Sequence, residues 1–176
     1  DIENRGKFKK SNNEILGAGF ETTPYYLVEE KLTELVDEFN SNENNDLIMK
    51  VACFHADFEK IHPFIDGNGR TGRLLLNLEL MKNGYPITVI RNEDRDEYYT
   101  ALETAQVESN YELLADFIEK SVENTFWMYY KYFDEDTKMK FEEYLKKNGI
   151  NPKEVYQKRF EDYPETGRDF PRDWDK

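Results

Sequence analysis

The stretch His62-Pro-Phe-Ile-Asp-Gly-Asn-Gly-Arg-Thr-Gly-Arg73 lies between two helical patterns and matches neither. It holds a histidine, a carboxylate, glycines around an asparagine, and two arginines three residues apart. Glycine reaches φ > 0 and lets a backbone approach a ligand closely. Consecutive N–H groups in such a turn form an anion nest. A helix starting at about Gly69 or Arg70 adds its free N–H groups and the positive end of its dipole. The stretch therefore predicts a phosphate site with a base and a metal ligand beside it.

Each side chain has its own chemistry. His62 titrates near neutral pH and can take a proton from a substrate hydroxyl. Asp66 offers oxygens to Mg²⁺, a hard cation that prefers carboxylate and phosphate ligands. Gly67, Asn68 and Gly69 can wrap a phosphate with backbone donors, and Asn68 can add its side-chain amide. Arg70 and Arg73 fall on roughly one side of the new helix, where their forks suit terminal phosphate oxygens. Phe64 is expected to pack inward and fix the loop. Taken singly, these residues have plainer readings: a structural histidine, a solvated turn aspartate, a surface ion pair. Their clustering favours polyphosphate chemistry. The stretch is no Walker A loop, because the GxxxxGK(S/T) spacing and its lysine are missing. No βαβ unit surrounds it, which sets aside the dinucleotide-binding fold. His55 reads as a helix residue near the loop, bonded to its backbone, rather than as a metal ligand, since there is no HExxH pattern.

The bulk composition agrees. A chain of 176 residues is about one domain. Its 24 basic and 37 acidic residues leave a formal charge of -13. Such a surface repels nucleic acid and anionic membrane, so a phosphorylated small molecule with a divalent cation fits better than a duplex. Aromatic residues at 15% argue against disorder. Cys53 is the only cysteine, so no intrachain disulfide or thiolate zinc cluster is expected. It reads as a small core residue. There is no long apolar run and no visible signal peptide, and a cytoplasmic location is the expectation. The chain begins at Asp1 rather than Met, so a processed fragment is an open expectation.

Outward from the loop, the pattern is helical. Residues 8–16 read equally well as an irregular arm or as a small hairpin whose edge could receive a peptide. Thr23-Pro24 predicts a helix start, and Tyr25, Val28, Leu32, Leu35, Val36 and Phe39 follow at helical spacing. A second helix is expected from about Asp46 to Ile61, striped by Leu47, Val51, Phe54 and Phe58. After the loop, Leu74, Leu75, Leu76, Leu78, Leu80 and Met81 predict a central helix covered on several sides. Further helices are expected from Asn92 to Val107, from Asn110 to Tyr130, from an Asp136 cap to Lys147, and from Asn151-Pro152 onward. Past Tyr163 a lightly ordered tail is expected, with Phe170 and Trp174 able to dock. The organisation expected is a core domain over 1–130 and an appended helical segment over 131–176. The class is all-α with a minor hairpin.

His62 to Arg73 also matches every fixed position of HxFx(D/E)GNGRxxR, and the chain resembles the Fic-domain family on that ground. The resemblance extends over roughly residues 6 to 125, through the segment around 6–18, Thr23-Pro24, Leu74–Leu80, Gly84-Tyr-Pro86 and Tyr98-Tyr-Thr-Ala-Leu102. It implies a Fic-like helical core with an N-terminal hairpin flap. It also implies transfer of AMP from ATP to a Ser, Thr or Tyr hydroxyl of a target protein, with release of pyrophosphate. On that resemblance His62 is the base, and Asp66 holds Mg²⁺ between the α- and β-phosphates. Gly67, Asn68 and Gly69 form the nest, with Asn68 at the α-phosphate. Arg70 meets the β-phosphate, Arg73 the γ-phosphate, and Tyr98 lines the nucleotide pocket. The flap would align the target by strand addition. Removal of AMP, phosphate transfer, and nucleotide binding without catalysis are the alternatives. Many Fic proteins carry an inhibitory helix whose glutamate pairs with the second arginine. Its Ser/Thr…Glu-Gly/Asn pattern is absent from these 176 residues. A competent enzyme, an antitoxin-like inhibitory partner or an upstream helix are the resulting expectations, and a homo-oligomer is compatible.

Overall fold

The computed structural model describes residues 6–43 and 46–162, with side chains as far as Gln157. Among these residues the secondary structure is helical throughout, as expected. The helices are α1 (Val28–Ser41), α2 (Leu47–Ile61), α3 (Asn68–Lys82), α4 (Arg95–Glu108), α5 (Glu112–Tyr130), α6 (Glu135–Lys147) and α7 (Pro152–Asp162), preceded by a 3₁₀ turn at Tyr25–Leu27. None of them is long and apolar enough to cross a membrane. The chain divides into two compact units, residues 1–125 and 126–176, with the boundary inside α5.

In the first unit α2 is the central element, packed against α1, α3 and α4. It starts where the Asp46 side chain accepts from Met49 N at 3.0 Å, filling one orphan donor of the first turn. It ends at His62, which adopts the left-handed conformation (φ 51°, ψ 59°) while its N–H still bonds Phe58 O. Val51, Ala52 and Ala56 of α2 join Leu76 and Leu80 of α3, Ala101, Leu102 and Ala105 of α4, and Leu114, Phe117 and Ile118 of α5 in the main core. Val28, Leu35, Phe58 and Ile61 form a smaller cluster on which Phe64 packs, so the loop after α2 is tied to α1.

The expectation that α3 is the covered central helix is corrected. Leu74 is 71% exposed, and Leu78 and Met81 are exposed as well. Gly72, Leu76 and Leu80, spaced by four, make the buried stripe. The apolar residues of 74–81 circle the helix, but only that stripe meets the core. Two helix starts also shift. Pro24 precedes the 3₁₀ turn and α1 proper begins at Val28, and α4 begins after Asp94 rather than at Asn92.

No strand occurs among residues 6–20, so the hairpin alternative gives way to the irregular arm. The reason is where its polar groups go. Lys9 N donates to Pro63 O at 2.8 Å, and the Asn13 side chain donates to Phe64 O at 2.9 Å. The Lys9 backbone donor is thus spent on the loop rather than on a facing strand, and the Asn13 side chain ties the arm there.

The second unit has its own aromatic core. Trp127, Tyr130 and Tyr156 are buried, with Phe126, Phe133, Phe141 and Val155 against them. Its α6 is capped by Asp134, which accepts from Thr137 N at 2.7 Å, and not by Asp136. Phe170 and Trp174 lie outside the described residues.

Candidate active site

His62 sits at the hinge between α2 and the loop. Its Nδ1 is 3.2 Å from Glu59 O. A carbonyl only accepts, so Nδ1 carries the proton and Nε2 keeps its lone pair. Burial lowers the His62 pKa, and the Lys9 charge lowers it further, while the Glu59 carbonyl works the other way. The imidazole is therefore held neutral near pH 7, the form a base needs.

Beyond it, Gly67 has φ 89°, a conformation that suits glycine alone, and precedes α3 without any side-chain cap. The first helical bond is Thr71 N to Gly67 O at 2.9 Å, so the N–H groups of Asn68, Gly69 and Arg70 have no partner within the helix. Helical side chains lean toward the N-terminus, and both arginines do. A Cβ on Gly67 would lie 3.4 Å from Arg70 Nη2, and one on Gly69 would lie 3.1 Å from Arg73 Nη1. The two glycines thus leave room for the guanidinium groups to fold back over the nest.

Asn68 has a role that was not expected. Its Oδ1 accepts from Phe64 N and its Nδ2 donates to Phe64 O, both at 2.8 Å. Its buried amide braces the loop through Oδ1 and one Nδ2 proton, and its backbone N–H adds to the nest. Phe64 packs against Phe58 and Phe8, with centroids 6.5 and 6.0 Å away. Asp66 and Arg70 pair at 3.0 Å and stand out in solvent, their side chains 88% and 72% exposed. Among the described residues no cluster of three or more His, Cys, Asp or Glu side chains forms a metal site.

A cavity of about 490 Å³ opens at this point. The arm (Ile15 to Ala18), the end of α2, the start of α3 and the inner face of α4 enclose it, and His62, Gly69, Arg73 and Tyr98 all line it. Asp66, Gly67, Asn68, Arg70 and Phe64 do not. Tyr98 is buried, and its hydroxyl meets His55 Nε2 at 2.7 Å. Burial, its largest cause, raises the Tyr98 pKa. His55 is fully buried, and burial pushes its pKa down to about 4. It is a helix residue near the loop, as expected; its Nε2 meets the Tyr98 hydroxyl on α4, and the Gly72 backbone acts on the ring as well.

Two parts of the site were not anticipated. The arm residues Lys9 and Asn13 bond to the end of α2 and to the loop. Glu59 lines the cavity with its carboxyl pressed against Gly72, where a Cβ would lie 2.1 Å from Oε1. Burial pushes the Glu59 pKa up to about 7, against the pull of Arg73. The signal for Glu59 was Gly72 itself: a glycine inside a helix costs about 1 kcal/mol relative to alanine and marks a close neighbour.

Comparison with known proteins places this geometry. The Fic/DOC family pattern matches residues 1–80. A probable protein adenylyltransferase of Aquifex aeolicus (aq_aa38) is 40% identical over 99 residues, covering 56% of this chain and 30% of that protein. The protein adenylyltransferase fic-1 of Caenorhabditis elegans is 42% identical over 87 residues, 48% of this chain and 17% of that one. Among solved structures, Fic-1 from C. elegans superposes with a TM-score of 0.65 at 32% identity, over 73% of this chain and 38% of that chain. A Fic-domain-containing signalling protein from Bacteroides thetaiotaomicron gives 0.63 at 27% identity, over 68% and 52%. The chain thus spans less than a third of the length of these curated relatives.

Proposed function

We propose that this chain, which matches the Fic/DOC family pattern over residues 1–80, is a protein adenylyltransferase that moves AMP from ATP to a hydroxyl side chain of a target protein. One observation carries this reading: a neutral histidine and an arginine-covered helix start open onto the same cavity, about 490 Å³ in size. That volume lies within the ~300–1,000 Å³ of small-molecule sites.

In the proposed reaction His62 Nε2 takes the proton of the target hydroxyl as its oxygen attacks the α-phosphorus. The new P–O bond forms in line with the breaking bond to the β-phosphate, and pyrophosphate leaves. The N–H groups of Asn68 and Gly69 and the α3 dipole receive phosphate oxygens. Arg70 and Arg73 take the β- and γ-phosphates. Tyr98 walls the nucleotide. Positioning and charge stabilisation supply most of the catalysis.

Asp66 would hold Mg²⁺. Its carboxylate stands at the solvent side with an exposed arginine as partner, an attachment worth only about 0–1 kcal/mol and open to exchange. A single carboxylate suits an ion that completes its shell with phosphate oxygens and water. When bound, the ion would neutralise phosphate charge. The exposed arm around Leu16 is the surface on which a target would be aligned. An inhibitory glutamate from another segment or an antitoxin-like partner would act by occupying Arg73. A cytoplasmic setting and self-association belong to this proposal as well.

The test uses ATP labelled at the α- or the γ-phosphate, with a cell lysate as acceptor. The reading predicts α-label on protein with the wild type and none with His62→Ala. Label from the γ-position alone would refute AMP transfer.

A further inference from the structure

We propose that Lys9 and Asn13 are positioning residues of the reaction: together they clamp the four consecutive carbonyls from Ile61 to Phe64 and so hold His62 in its left-handed conformation at the cavity. The kinetic part rests on the adenylyl-transfer reading; the clamp does not. A non-glycine residue in the left-handed region persists when its surroundings over-determine it. Here they do. Lys9 Nζ donates to Ile61 O at 3.3 Å and Lys9 N to Pro63 O at 2.8 Å. Asn13 Nδ2 donates to Phe64 O at 2.9 Å and reaches His62 O at 3.5 Å.

Lys9 is unusual for a lysine. It is 2% exposed, and a buried ammonium is costly unless its hydrogen bonds are met. Its three protons match three neutral oxygens: Ile61 O, Asn13 Oδ1 at 2.7 Å and Thr22 Oγ1 at 3.2 Å. No carboxylate is among these contacts. An anchor needed only for the fold could use apolar packing. An ammonium here also adds to the effect of burial in lowering the basicity of His62. The other ionisable groups lining the cavity with His62 are Glu59 from α2, Arg73 from α3, and Arg95, Tyr98, Tyr99 and Glu103 from α4. Lys9 alone combines a charge effect on the imidazole with a grip on its backbone. Because the same arm continues into Ile15 to Ala18, the base and the nucleotide wall are set by one segment.

Lys9→Met and Asn13→Ala test this in the full chain. Label incorporation from α-labelled ATP into lysate protein gives kcat and the KM for ATP. A misplacement of about 1 Å lowers rate by roughly 10²-fold, and that loss is expected in kcat, with KM for ATP nearly unchanged. Lys9→Arg should restore part of the rate lost in Lys9→Met. Proton NMR titration of the two histidines should show the His62 pKa rising in Lys9→Met and hardly moving in Asn13→Ala. The acid limb of the rate profile should move to higher pH with it. A rise in KM alone, or an unmoved His62 titration in Lys9→Met, overturns the proposal. If Lys9→Met fails to fold, Asn13→Ala decides: Asn13 is only partly buried, and an unchanged kcat there overturns the clamp. If the wild type transfers no AMP, the adenylyl-transfer reading fails, while the backbone chemical shifts of His62 in Asn13→Ala, which report its left-handed conformation, still judge the clamp: unchanged shifts overturn it.

Discussion

Glu59 shows how much one residue can carry beneath the phosphate nest. Its carboxyl ionises at about 7 in the folded chain rather than at the ordinary 4.5, chiefly because burial penalises the charge. The unfolded chain therefore releases this proton first, so Glu59 makes stability fall as pH rises from about 4.5 to about 7. His55 does the opposite. Its pKa, depressed to about 4 by burial, makes stability fall as pH drops from about 6.5 toward 4. Urea unfolding of Glu59→Gln against wild type should show the variant gaining relative stability across pH 4.5–7, by a few kcal/mol at most. A constant difference would contradict the assignment. Gly72→Ala should destabilise the chain by about 1–3 kcal/mol through overpacking, since its new Cβ meets Glu59 Oε1. Adding Glu59→Ala should recover part of that loss, and a double-mutant cycle measures how much. Neither residue was legible as a pair, because sequence periodicity shows which face a side chain takes and not which neighbour it will press against.

The elements were more legible than their contacts. Capped, uninterrupted apolar spacing located α2 to within a residue of its Asp46 cap, and Asp46→Ala should cost about 1 kcal/mol in thermal or urea unfolding. The start of α3 was visible because Gly67-Asn68-Gly69 cannot continue α2 and leaves a helix with unfilled donors. Its burial was misjudged, because leucines around a whole helix do not reveal how many neighbours it has. The bracing role of the Asn68 amide went unseen for a related reason. An asparagine beside glycines can face a ligand or its own loop, and only the fold brings Phe64 within 2.8 Å of both its amide atoms. Asn68→Ala should lower stability by about 1–3 kcal/mol by orphaning that backbone, a loss that ligand contact alone would not produce without nucleotide.

At the scale of the whole molecule, the first unit builds a site from parts far apart in sequence. The arm supplies Lys9 and Asn13, α2 and α3 supply His62 and the nest, and α4 supplies Tyr98. The loop was legible because its chemistry is local, with all its groups within twelve consecutive residues. The arm was not, because 52 residues separate Lys9 from Ile61 and no periodicity links them. In a chain of charge -13, this pocket sets Arg73 and Arg95 beside Glu59 and Glu103, so its positive groups are local rather than a field of one sign. The central claim is that His62 performs chemistry rather than binding. The direct measurement takes the His62→Ala chain through ATP-binding calorimetry and α-label transfer side by side. Nearly unchanged ATP affinity with transfer reduced by about 10²–10⁴-fold is the predicted result. Transfer at the wild-type rate, or a loss explained wholly by weaker ATP binding, would contradict it.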